Sequence, residues 1–185
     1  MHSQLSPTIA SDGAGGAIIT WWEGNNAGTS DIYAQRISAN GVVLWTTNGI
    51  PICTDPANQS FPQIISDGAG GAIILWHDTR NRYTWNPFWE IYAQRVNAAG
   101  VPQWAANRVF IGTELENQTI LGFSPDGQGG ALIAWTYPVS VTDIYVQKIN
   151  PAGVVQWGPN GTAVCTDIYT QLNPAVTSDG SGGAI

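Results

Sequence analysis

Ser11-Asp12-Gly13-Ala14-Gly15-Gly16-Ala17-Ile18-Ile19 decides how this chain is read, because the segment returns three more times. The later copies are Ser66-Asp67-Gly68-Ala69-Gly70-Gly71-Ala72-Ile73-Ile74, Asp126-Gly127-Gln128-Gly129-Gly130-Ala131-Leu132-Ile133 and Ser178-Asp179-Gly180-Ser181-Gly182-Gly183-Ala184-Ile185. Their Asp-to-Asp periods are 55, 59 and 53, a spacing that marks a repeat architecture. A second signature lies between successive copies: Asp31-Ile32-Tyr33-Ala34-Gln35-Arg36-Ile37, then Glu90-Ile91-Tyr92-Ala93-Gln94-Arg95-Val96, then Asp143-Ile144-Tyr145-Val146-Gln147-Lys148-Ile149.

Only one joint of the repeat varies in length. From Asp12, Asp67 and Asp126 to Trp21, Trp76 and Trp135 the interval is always nine, and from Asp31, Glu90 and Asp143 to the next Asp-Gly it is always 36. The stretch from the Trp to the following acid runs 10, 14 and 8 residues and accounts for all the variation in period. Within the fixed part, Trp45, Trp104 and Trp157 each follow the acid by 14, and Gln4, Gln59, Gln118 and Gln171 each precede the Asp-Gly by eight.

Composition agrees with many short strands. The 185 residues include 22 Gly and 11 Pro, with 43% hydrophobic and only 10% charged side chains, and β-branched and aromatic residues are plentiful. A formal charge of -7 removes the basic footprint that nucleic acid binding needs. No apolar run approaches the roughly 18 residues of a membrane span, so membrane insertion is not expected. Residues 1–7 show neither the basic nor the apolar region of a signal peptide.

Each repeat reads as four strands: residues 7–11, 17–21 and 31–37, with the fourth falling around either 42–45 or 50–54. The Gly-rich link between the first two supplies residues able to take positive φ, as a tight hairpin requires. Strand two is nearly all apolar, which predicts burial on both faces. Four-stranded units at a period of roughly 50 are the sequence sign of propeller blades. The expected fold is all-β, a β-propeller-type array of four-stranded antiparallel blades. Blade 1 spans about 4–58, blade 2 about 59–117, blade 3 about 118–170, and a partial blade 4 about 171–185.

The pattern Asp-Gly-x-Gly-Gly, Trp, Asp-Ile-Tyr-x-Gln-Arg and Gly-x-x-x-Trp resembles β-propeller repeats of secreted or cell-surface bacterial proteins, and the resemblance covers essentially the whole chain. It implies an extracellular or cell-surface, non-catalytic module. The order of motifs differs from kelch, no Trp-Asp pair ends a strand as in WD40 repeats, and the sialidase Asp-box spacing is absent.

Propellers close with about four to eight blades, so three and a half leave a ring incomplete within one chain. Open blade edges are aggregation templates unless covered. Either the sequence is cut from a longer propeller or copies complete one another, and self-association is expected, as a closed oligomer or a fibre.

In a meander, the length-variable connections share one rim, where recognition usually resides. The longest, residues 77–89, is rich in aromatic and basic groups: Arg80, Arg82, Tyr83, Trp85, Phe88 and Trp89 are candidate contacts for a glycan or a protein ligand. Alternatively, these aromatics fold back on a neighbouring blade or cover an assembly interface. An active site would break the repeat symmetry, yet all but one of the 13 acids fall on repeat-equivalent positions. No catalytic pair, metal site or cofactor is expected, unless the chain belongs to a larger propeller hydrolase whose catalytic residues lie elsewhere. Asp12, Asp67, Asp126 and Asp179 are read as caps of their own turns rather than Ca²⁺ ligands. Trp21, Trp76 and Trp135, Trp45, Trp104 and Trp157, and Tyr33, Tyr92 and Tyr145 are read as packing between blades. Cys53 and Cys165 share a repeat position, too far apart for a disulfide.

Overall fold

The computed structural model describes residues 3–24, 28–80, 89–105, 109–112, 118–138 and 142–185. Among these residues there is no helix. The strands form three four-stranded sheets, each in sequence order. The first holds β1 (Ser3–Ser11), β2 (Ala17–Gly24), β3 (Ser30–Ile37) and β4 (Ile50–Cys53). The second holds β5 (Gln59–Ser66), β6 (Ala72–Asp78), β7 (Glu90–Val96) and β8 (Val109–Phe110). The third holds β9 (Thr119–Pro125), β10 (Ala131–Pro138), β11 (Thr142–Ile149) and β12 (Thr162–Cys165). The registers of the first and third sheets are antiparallel throughout, as is that of β5 with β6. Around the fourth Asp-Gly, Ser178 and Ala184 form an antiparallel bridge, so residues 171–185 supply a shorter hairpin than the two full strands expected. The chain divides into two compact units, residues 1–80 with 92–109 and residues 81–91 with 110–185.

The repeated turn is built around one carboxylate. Asp12 Oδ1 accepts the amides of Ala14 and Gly16 at 2.9 and 2.8 Å, while Oδ2 accepts Arg36 Nε and Nη2 at 3.0 and 2.8 Å. The turn amides, and after them Arg36, hold the Asp12 carboxyl below its ordinary range, as charge-assisted hydrogen bonds to the ionised form must. Asp67 repeats the arrangement with Ala69, Gly71 and Arg95. Asp126 repeats it with Gln128 and Gly130, and Lys148 stands 3.5 Å away in place of the arginine.

Two kinds of glycine serve this turn. Gly13 and Gly15 have φ of 72° and 82°, the left-handed region that side chains resist. Gly16 is required for space, since a Cβ there would lie 2.2 Å from the Ile37 carbonyl oxygen, and at Gly71 the corresponding distance to Val96 is 2.1 Å. The last glycine therefore lets the turn close on the end of the third strand, where the arginine begins its reach.

The glutamine of the second signature fixes the return path. Gln35 accepts the amides of Arg36 and Trp45 and donates to the Thr46 carbonyl. Gln94 and Gln147 make the same three bonds with Trp104 and Trp157. This settles the fourth strand: residues 50–53 pair with β3, whereas residues 42–45 form a clamped turn with an isolated bridge from Ile37 to Val43. The first strand begins at Ser3 rather than at residue 7, because a bulge between Leu5 and Thr8 absorbs Pro7, which has no amide to give the ladder.

Within the first unit, hydrogen bonds tie the first sheet to residues of the second repeat. Ser30 Oγ donates to the Gln59 carbonyl at 2.7 Å, Thr8 Oγ1 to Pro62 at 3.1 Å, and Arg36 Nη1 and Trp45 Nε1 to Ala98 at 2.8 and 3.1 Å. Ile18, Thr20, Ile32 and Ala34 are fully buried. In β6 every residue except His77 is buried, as the apolar run predicted. β2 departs from that expectation: burial alternates along it, and Trp21, stacked on Tyr33 at 6.3 Å, stays half-buried. Only one of its faces is covered.

Gly71→Ala should lower stability by about 2–4 kcal/mol, because backbone must move to admit the methyl group. Gly68→Ala, at a φ of 75° with open space around it, should cost only about 1 kcal/mol. Urea unfolding checks both; equal midpoints would contradict this division of labour between the two glycines.

Candidate functional site

The departures from repeat symmetry gather at one end of β6. Its last residues are His77 and Asp78, where the first repeat has Trp22 and Glu23 and the third has Thr136 and Tyr137. Four positions after Trp76 comes Arg80, where the other repeats carry Asn25 and Val139. This end shares its rim with the β2–β3 and β6–β7 connections.

Arg80 turns inward, and its side chain is only 4% exposed. Its Nη2 lies 2.5 Å from Asp78 Oδ2 and 3.1 Å from Cys53 Sγ, and its Nη1 lies 3.5 Å from Asp55 Oδ2. The guanidinium carbon sits 4.2 Å from the centre of the Tyr92 ring, within cation–π range. Asp78 Oδ2 also accepts the indole N–H of Trp76 at 2.9 Å, and Asp78 Oδ1 accepts the Arg80 amide. A buried charge is tolerable only when paired and hydrogen-bonded, and this arginine has two carboxylates and an aromatic face. Thr79 ties the same stretch down, its amide donating to Asn58 at 3.1 Å while its hydroxyl accepts the Asn58 amide. The end of β6 is thus fastened by side-chain and main-chain bonds.

Burial pushes the Cys53 thiol up to about 11, against the pull of the Asp55 amide and of Arg80. The thiol is therefore protonated at neutral pH and unsuited to nucleophilic work.

A second asymmetry lies beside the first. Phe61, on β5, stands edge-on to Trp22 at 6.5 Å and to His77 at 6.1 Å, so three rings form a ladder running from the first sheet to the second. Phe61 is 50% exposed. Burial lowers the His77 pKa to about 4, and its imidazole is uncharged at neutral pH.

Of the residues expected at this rim, Arg80 belongs to the buried base and Trp89 is half-buried, its carbonyl accepting the Gln118 amide at 2.9 Å. Arg82, Tyr83, Trp85 and Phe88 lie outside the described residues. Trp76 and Trp135 are fully buried and Trp104 nearly so, whereas Trp45 and Trp157 are half-buried. Tyr145 stacks on Trp135 at 6.1 Å, as Tyr33 does on Trp21. Sequence reasoning missed Phe61, although its alignment with Ser6 and Asn173 held the signal. It also missed that Glu23 and Asp31 are cross-strand partners. Burial, and then the charge of Glu23, raise the Asp31 pKa. Among the described residues, no group of three or more His, Cys, Asp or Glu side chains is placed to hold a metal ion. Neither cysteine is in a disulfide; Cys53 is buried and Cys165 half-buried.

A scan against protein-family models and searches of curated proteins and of solved structures found no match to this chain.

Two outcomes follow from these environments. In the folded protein a thiol-specific disulfide reagent should modify Cys165 readily and Cys53 only after denaturant is added; two fast thiols would contradict the burial of Cys53. For His77 the folded pKa of about 4 lies below the ordinary value of about 6.5. The unfolded chain therefore takes up its proton first, and stability falls as pH drops from about 6.5 to about 4, by at most about 3 kcal/mol. Replacing His77 by Phe should flatten that part of the stability profile, measured by urea unfolding at stepped pH; an unchanged slope would exclude His77 as its source.

Proposed function

We propose that the chain is a non-catalytic β-propeller-type module whose repeats are blades, and that it recognises a glycan or a protein through the rim where the variable connections lie. The observation that carries this reading is the buried Asp78–Arg80–Asp55 base. Among the described residues it stands at the repeat with the longest connection, and it fastens the end of β6 that precedes that connection. Recognition loops work when a rigid scaffold holds them. Four-stranded sheets in meander order, one per repeat, support the blade reading. The extracellular setting rests on the resemblance of the repeats to secreted and cell-surface propellers.

The chemistry of the described residues favours binding over turnover. The carboxylate equivalent to Glu23 in the second repeat, Asp78, is engaged by Trp76 and Arg80, a structural use of that position.

A second reading is self-association. It is favoured by the half-exposed Trp21–Tyr33 face of the first sheet, since Trp76 and Tyr92 at the same repeat positions are buried. A second copy seated on that face would bury a stacked aromatic pair.

One set of samples tests both readings. The double variant Trp85→Ala/Trp89→Ala should lose at least tenfold in affinity for the ligand selected from immobilised glycans and candidate surface proteins, with its β-sheet circular dichroism unchanged. Undiminished binding would remove the variable connection from the site. Light scattering on the same samples reads the assembly, and a mass near 19.7 kDa at all concentrations would reject self-association.

A further inference from the structure

In β1 and β5 the bulge residue lies in the left-handed backbone region, Ser6 at φ 50° and Phe61 at φ 50°, and Asn173, at the same repeat position, takes φ 55°. Asparagine, with its short polar side chain, is among the residues that visit this region most readily, and a small serine fits with little crowding. A bulky phenylalanine there is an outlier, and such outliers concentrate at ligand clamps. Core packing does not explain the choice, because half of the Phe61 surface is open to solvent. Neither backbone preference nor burial favours phenylalanine at this position. Contact with a ligand does.

We infer that the Trp22–Phe61–His77 ladder is the stacking platform for a neutral oligosaccharide, which names the ligand class within the rim-recognition reading and rests on it. Leu5, the cross-strand partner of Trp22, widens the platform and is itself 44% exposed. Charge selects the class of sugar. The chain carries a formal charge of -7, and Arg80, the basic group at this end of β6, is engaged by Asp78, Asp55 and Cys53. Among the described residues of the platform, no cation would compensate an acidic glycan.

Size argues against a protein partner. A stable protein interface takes about 800 Å² from each side. Three aromatic side chains bury about 150–250 Å² apiece even when covered entirely, and these are partly covered by one another. The open area is too small for a protein face and suits a few pyranose rings, whose apolar C–H faces pack against the exposed Phe61 ring and the edges of its neighbours while their hydroxyls stay hydrated.

The test compares the full chain with Phe61→Asn, using linear cellohexaose, xylohexaose and mannohexaose as probes in calorimetric titrations. Asparagine takes the same backbone region at position 173, so the variant should melt no lower than the parent. The expected result is saturable binding of at least one hexaose by the parent, weakened more than tenfold in Phe61→Asn and quenching indole fluorescence in the parent alone. A lower melting temperature for Phe61→Asn would overturn the conformational argument, and equal affinity would overturn the site. Binding that disappears in Trp85→Ala/Trp89→Ala but survives in Phe61→Asn would leave the rim reading standing and reject the ladder. Should the parent bind no hexaose but a protein ligand instead, the sugar assignment falls while the rim reading holds.

Discussion

The aspartate of the Gly-rich turn does two jobs with its two oxygens, and the repeat is organised around them. Oδ1 gathers the turn amides, which would otherwise lack partners in so tight a loop. Oδ2 holds the arginine that closes the third strand. In the first sheet that arginine then reaches the Ala98 carbonyl of the second repeat, so one carboxylate couples the local turn, the strand pair and the next repeat. In the third sheet the lysine at this position stands off Asp126 and donates instead to the Gly182 carbonyl of the following turn. The forward reach survives there, while the two-pronged grip of a guanidinium is lost.

Around this clamp the repeat tolerates little change. The glutamine of the second signature uses its whole amide group to pin the Trp-bearing turn. Gly49 and Gly161 let the chain pass under Trp21 and Trp135, where a Cβ would come within 2.6 Å of the indole in each case. In the first and third repeats indole, glycine and tyrosine therefore form one packed unit, with the tyrosine and glycine 16 residues apart in both. The variable connection lies beyond this unit, and its length changes without disturbing any clamped residue.

That separation explains where individuality accumulates. The Arg80 cluster and the aromatic ladder both stand at the end of β6, past the last clamped position. They draw on residues far apart in the chain: Cys53 and Asp55 from the first repeat with Arg80 and Tyr92 from the second, and Trp22 with Phe61 and His77. The two places use their side chains in opposite ways. Charge is neutralised internally in one, and aromatic surface is left open in the other.

The sequence by itself determined the all-β class, the four-strand unit, the turn-capping aspartates and the rim on which variation falls. These depend on short-range rules, since positive φ, strand alternation and fixed spacing operate within a few residues. It left the fourth strand between two segments, because only the bonds of Gln35 show that residues 42–45 turn while residues 50–53 pair. It placed Arg80 among surface contacts, where tertiary structure draws the side chain inward: two carboxylates and a tyrosine ring from separate strands offer more than solvent does. Phe61, one residue before the expected first strand of its repeat, was not singled out. Its left-handed backbone and its exposure arise from a bulge and from the meeting of two sheets, and no local pattern in the chain encodes that meeting.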